Sequence, residues 1–194
     1  MRPVLRRSGV VLLILGALAL GHAVSTALPL DDRLSEPFVR AGATGDEVAL
    51  RYARVTAGTP VGSTVADVSG ALLATSGVWV MVPVMVVAEG EPRRLAHAVV
   101  IGSDGRSYAA NGARSQLALD RATPGVPHYG AVLVELPADA AVGARLRLAL
   151  DPWDQRGDDM ADIGLGITAA DVEDWRRTDD PVRLPYPSDT PPEA

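Results

Sequence analysis

The sequence predicts an all-β protein, an antiparallel sandwich of seven or eight short strands behind a single N-terminal membrane segment. Three observations predict it. Apolar and polar residues alternate with period two between residues 46 and 168, the spacing of half-buried strands. Glycine- and proline-bearing turn signals separate these runs. An uncharged stretch from Ser8 to Leu30 follows Arg2, Arg6 and Arg7.

Residues 1–7 form a basic stub. About 20 helical residues span a bilayer core, so the stretch 8–30 is long enough to cross. Arginines in front of such a segment stay on the cytoplasmic side, which places the rest of the chain outside. Val10 to Leu20 is continuously apolar or glycine, the form of a signal-peptide core. Ala23-Val24-Ser25 and Ser25-Thr26-Ala27 offer small-residue cleavage sites. Apolar character resumes at Ala27, Leu28 and Leu30, which favours a retained signal-anchor over a cleaved signal. The expected location is the cell membrane, single-pass, with the C-terminal domain extracytoplasmic.

Residues 31–45, with Asp31, Asp32, Pro37, Gly42 and Gly45, read as a spacer. The domain then runs from 46 to 168. Val48, Leu50 and Tyr52 alternate with Ala49 and Arg51. Gly77 to Ala88 is a long valine-rich run. Val132, Val134 and Leu136 face one way, and Leu133 and Glu135 the other. Leu146, Leu148 and Leu150 alternate with Arg145 and Arg147. Ile163, Leu165 and Ile167 alternate with Gly164 and Gly166. The turns between them fall at Gly58-Thr59-Pro60, Glu89-Gly90-Glu91-Pro92, Ser103-Asp104-Gly105, Asn111-Gly112, Thr123-Pro124-Gly125 and Pro137-Ala138-Asp139. A parallel sheet needs crossover helices, and no helix-period segment exists in this range. Beyond it, Thr168-Ala169-Ala170-Asp171 has the form of a capping box and starts a short helix through Trp175 to Arg177. Pro181, Pro185, Pro187, Pro191 and Pro192 then mark residues to 194 as a disordered tail.

Composition narrows function. The chain has 194 residues, 47% of them hydrophobic, with one phenylalanine; that is enough for one domain with a real core built from Val, Leu and Ala. The absence of cysteine excludes disulfides, thiolate metal sites and a cysteine nucleophile. Beyond the basic stub, 15 arginines face 24 acids, and such a domain repels nucleic-acid phosphates.

From Trp79 to Leu150 the chain resembles a bacterial family of extracellular immunoglobulin-like, telokin-like domains of unknown function. Such domains follow a signal or membrane anchor in actinobacterial and other Gram-positive proteins. The elements that carry the resemblance are the strand Val78 to Val87, Ser103-Asp104-Gly105-Arg106-Ser107-Tyr108, Thr123-Pro124-Gly125 and Gly130-Ala131-Val132-Leu133-Val134-Glu135-Leu136-Pro137, in that order. The resemblance implies an immunoglobulin-like sandwich and an extracytoplasmic location. It implies no catalytic residue.

Three features are candidates for function. The valine-rich strand places Val78, Val80, Val82, Val84 and Val86 on one face and Trp79, Met81, Pro83, Met85 and Val87 on the other. An outward apolar face of this kind marks a partner-binding surface unless the C-terminal segment or the 60s loop covers it, so Trp79, Met81 and Met85 are the partner-binding candidates. The acids Asp151, Asp154, Asp158, Asp159 and Asp162 are weak candidates for calcium, because their spacing fits no EF-hand loop. The tripeptide Arg156-Gly157-Asp158 within them is too short to count as a motif. His97 and His128 are too few for a catalytic zinc site without carboxylates. No nucleophile elbow or phosphate loop is present.

No enzymatic activity and no cofactor are therefore expected. The leading expectation is a membrane-tethered accessory module that acts by contact with an envelope or membrane protein. The alternative is a secreted ligand- or calcium-binding sandwich.

Overall fold

A computed structural model of the chain describes residues 14–24, 26, 36–112 and 114–191. The chain divides into two compact units, Met1–Glu36 and Pro37–Ala194. In the first, residues 14–24 are helical and exposed. No helix among the described residues is long and apolar enough to cross a membrane. The ends of the uncharged stretch, residues 8–13 and 27–30, lie outside the described residues, as do the basic stub and residues 31–35.

The second unit is a β-sandwich with twelve strands among the described residues. In chain order these are β1 (Phe38–Ala43), β2 (Glu47–Ala49), β3 (Ala53–Ala57), β4 (Val61–Val68), β5 (Ala71–Ala88), β6 (His97–Ile101), β7 (Ser107–Ala109), β8 (Gln116–Ala118), β9 (Pro127–Leu136), β10 (Arg145–Ala149), β11 (Asp159–Gly164) and β12 (Val182–Arg183). One sheet has the order β1-β11-β10-β6-β7. The other is built around β5. Its residues 84–88 pair with β3 and 71–81 with β4, while β9 lines the opposite edge over residues 78–87 and carries β8 beyond it.

Pairing is antiparallel except for β1 with β11 and β12 with β4, which run parallel. The strand count and these two parallel pairs correct the expectation of seven or eight wholly antiparallel strands. The spacer is corrected as well, because its second half is β1, in register with β11 from Phe38↔Asp159 to Ala43↔Gly164. The local pattern of that segment is mostly exposed, so no period-two signal announces it.

The core lies between the sheets. Val78, Val80, Val82, Val84 and Val86 of β5 face Leu146 and Leu148 of β10 and Ile163 of β11 across it, with Val132 and Val134 of β9 beside them. Each such side chain contributes about 1.5–3 kcal/mol by leaving water. The alternation expected for β9 and β10 is the one observed. Ile163, Leu165 and Ile167 stay buried as expected, but β11 ends at Gly164, so Leu165 and Ile167 lie beyond the strand. The run from Val48 to Tyr52 keeps its buried side chains, but Leu50–Tyr52 is a turn between β2 and β3. The turn expected at Pro137-Ala138-Asp139 continues into a one-turn helix, α1 (Ala138–Ala141).

Helix α2 (Ala169–Arg177) starts where the capping box predicted. The Thr168 hydroxyl accepts from the Asp171 N–H at 3.2 Å and the Asp171 carboxylate accepts from the Thr168 N–H at 2.8 Å. The helix docks on β4 where Trp175 lies flat against Gly62, so close that a Cβ at residue 62 would enter the indole ring. Only glycine permits that approach.

The C-terminal segment corrects the expectation of a disordered tail. β12 pairs with Ala66 and Asp67 of β4, and Ser188 exchanges two backbone hydrogen bonds with Tyr129 of β9, at 2.7 and 3.0 Å. Because β5 lies between β4 and β9, residues 182–188 form a strap across the outer face of that sheet. Prolines serve here because the strap needs few N–H donors of its own.

Candidate interaction surfaces

The outer face of β5 is the first candidate, and the strap decides its character. Val182 buries Trp79 together with Ala66, Val68 and Leu133, and Leu184, Leu73 and Met81 pack against this small second core. Trp79 has no exposed surface. Its indole N–H donates to the Leu73 carbonyl at 2.8 Å, and the Arg114 guanidinium lies 5.3 Å from the ring centroid. Trp79 is thus a packing residue, as the covering C-terminal segment implies. Met81, Pro83 and Met85 remain half-buried. Of the three partner-binding candidates, Met81 and Met85 still offer surface to a partner.

The acids of the second candidate do not converge. Asp151 accepts from the Trp153 and Asp154 N–H groups at 2.7 and 2.9 Å, and Asp154 pairs with Arg156 at 2.8 Å. Asp158 pairs with Arg51 at 2.8 Å. Asp159, buried, accepts from the Arg51 N–H at 2.7 Å and from Arg40 at 3.2 Å. Asp162, also buried, holds Arg145 at 2.8 Å and Arg147 at 3.4 Å. Each carboxylate is committed to an internal partner, Asp158 and Asp159 sharing Arg51, and no cluster of three or more metal-ligating side chains occurs among the described residues. These acids fasten the domain: Asp159 joins β1, the β2–β3 turn and β11, and Asp162 joins β10 to β11.

Two consequences can be measured. Hydrogen bonds from Arg156 hold the Asp154 carboxyl at about 2, below its ordinary 3.8. A carboxyl depressed in the fold stabilises it above the unfolded value and stops doing so as pH falls through the folded one. Amide protection across residues 151–158, after correction for intrinsic exchange, is therefore expected to fall between pH 4 and 2. Asp154→Asn is expected to weaken that dependence, with Asp151, whose carboxyl is lowered by the Trp153 and Asp154 N–H groups, carrying the rest. The buried Tyr52 hydroxyl donates to the Asp159 carbonyl at 2.7 Å. Burial, then the Asp158 charge, pushes its pKa above the ordinary phenol value. Tyr52→Phe is expected to cost about 1 kcal/mol in urea denaturation, the worth of one buried hydrogen bond.

No family model matches the chain, and no curated protein matches it. Among solved structures, the yjhA protein from Bacillus subtilis is similar at 11% identity with a TM-score of 0.46, over 63% of this chain and 99% of that one. An uncharacterized β-sandwich protein from Clostridium difficile 630 is similar at 9% identity with a TM-score of 0.40, over 67% and 96%.

The histidines occupy different settings. His97 opens β6, half-buried, and burial lowers its pKa. His128 is buried on β9, with Nδ1 2.7 Å from the Asp189 carboxylate and Nε2 unpartnered. This contact ties the strap's end to the sheet. No pattern around His128 in the sequence signals a partner 61 residues away.

A third surface was missed by the sequence reading. Phe38, Arg40, Ala49, Leu50, Arg51, Gly157 and Asp159 line an open cleft of about 470 Å³ at one end of the sandwich. Phe38 is exposed there, although it is the chain's single phenylalanine. The signal for it was an aromatic residue in a supposed spacer.

Proposed function

We propose that this chain is a membrane-tethered, non-enzymatic extracytoplasmic module that acts by contact with an envelope or membrane protein. The observation that carries the reading is the uncharged stretch Ser8 to Leu30 behind Arg2, Arg6 and Arg7, followed directly by a folded β-domain. Residues 8–30 serve as the anchor and the arginines hold its orientation. An immunoglobulin-like relationship of the sandwich belongs to the same reading and rests on the motif order from Val78 to Pro137.

The half-buried Met81 and Met85 beside the strap supply adaptable apolar surface for a partner. The engagement of every acid from Asp151 to Asp162 in internal contacts favours contact over calcium binding. Fractionation and intact mass test the tether together. The full-length protein is expected in the membrane pellet, resistant to high-salt and carbonate washing. A mature form about 25 residues shorter, matching signal-peptide cleavage, rejects the anchor. Crosslinking in the native membrane tests the contact. Met81→Glu/Met85→Glu is expected to abolish the crosslinked species while the circular dichroism spectrum stays unchanged. Retention of the same species rejects this face.

A further inference from the structure

One end of the sandwich differs from the rest in both apolarity and charge. It comprises the start of β1, the β2–β3 turn, the β5–β6 connection, the segment leading into β9, and the β10–β11 loop. Backbone contacts hold these pieces together: Phe38 N–H to the Asp158 carbonyl at 2.8 Å, Glu89 N–H to Tyr52 at 2.9 Å, Gly125 N–H to Ala88 at 3.1 Å and Ala96 N–H to Leu150 at 3.2 Å. Four of the seven exposed large hydrophobic side chains in the described part of the β-domain lie here. These are Phe38 (61% exposed), Val39 (50%), Val126 (38%) and Trp153 (85%). Trp153 contributes almost nothing to packing, yet Asp151 fixes its backbone in an ordered turn.

Charge separates this end from the remainder. Residues 38–40, 50–54, 89–96, 119–127 and 150–159 hold seven arginines and seven acids, whereas the other residues of 37–194 hold seven arginines against fourteen acids. The neutral end is the one that an anionic surface does not repel. Arg51 and Arg156 are among the most exposed of its charges. Exposed tryptophan and phenylalanine beside arginine is the composition that settles at a membrane–water interface. The chain also enters the domain here, because Phe38 is only eight residues beyond Leu30. Eight extended residues reach at most about 28 Å.

We infer that this end of the β-domain docks on the lipid headgroups of the membrane that anchors the chain, with Trp153, Phe38 and Val126 entering the interfacial layer. The inference rests on the tethered reading above. Docking leaves Met81 and the start of the strap at Val182, which pair further along the sheet, free for a protein partner.

The full chain, reconstituted in vesicles of phosphatidylcholine and phosphatidylglycerol containing brominated phosphatidylcholine, tests it. One of three tryptophans is at stake, so about a third of the emission is expected to be quenched, and Trp153→Ala is expected to lose that quenched component. The chain has no cysteine, so Val126→Cys and Leu72→Cys each carry one nitroxide label. Lipid-phase collision with oxygen is expected at 126, and water-phase collision with a nickel chelate at 72. If the protein floats with the vesicles while Trp153 is unquenched and both labels are equally water-accessible, docking is overturned and the tether stands. If the protein does not float, the tether falls and the inference with it.

Discussion

Gly130→Ala is expected to lower the stability of the β-domain by about 3 kcal/mol, the upper range for forcing a methyl group into a packed interior. For a domain of this size that corresponds to a fall in Tm of roughly 6–12 °C. Gly130 sits in β9, buried where β8 ends. A Cβ there would be driven into the Ala118 carbonyl oxygen and would stand 2.8 Å from Leu119 Cδ2. Neither neighbour yields cheaply. The carbonyl belongs to the paired edge of β8, and Leu119 is itself fully buried. The sheet must therefore open between β8 and β9. Gly112→Ala serves as control, because a methyl group there meets nothing nearer than 3.7 Å, and it is expected to change stability by less than about 0.5 kcal/mol. Thermal denaturation followed by circular dichroism reads both. Equal midpoints for the two variants would falsify the packing described for β9.

Trp79→Ala is expected to cost about 3–5 kcal/mol, as large-to-small substitutions at buried aromatics do. The indole has lost all contact with solvent, its N–H is bonded to Leu73, and Val182 closes over it. The substitution leaves the Leu73 carbonyl without its donor and a cavity beneath the strap. It also removes the ring over which Arg114 lies. A surface contact residue behaves differently, because its removal leaves stability within about 0.5 kcal/mol and weakens only the complex. Urea denaturation therefore distinguishes the two roles directly. A second measurement isolates the strap. Val182→Asp leaves the indole in place but puts a charge against it, and is expected to shift tryptophan emission to longer wavelength. An unchanged spectrum with undiminished stability would show that residues 182–188 do not cover the face.

Both predictions concern positions where a short-range rule and a long-range contact meet. The alternation Leu146, Leu148 against Arg145, Arg147 announces a strand with one buried face, and β10 is that strand. The capping box at Thr168 announces α2 because every group it needs lies within four residues. The valine stripe of β5 is legible for the same reason. What the stripe cannot reveal is the fate of its other face. Trp79 reads equally well as a partner contact or as a packing residue until Val182, more than a hundred positions later, is placed over it.

The acids tell the same story. A run of aspartates within a dozen residues suggests a shared ligand, and the distances show each of the five engaged with protein groups instead. Asp159 reaches Arg40 and the Arg51 N–H, 119 and 108 residues away. By itself the sequence determined the β class, most strand faces, the capped helix and the uncharged stretch behind three arginines, since periodicity, capping and hydropathy are set by neighbours along the chain. The tertiary structure decided that Phe38–Ala43 completes a sheet, that the proline-rich end is a strap and that the aspartates are fasteners. Each of those depends on which distant segment supplies the missing hydrogen bonds and apolar cover, and a segment's own side chains specify that it needs a partner without specifying which one.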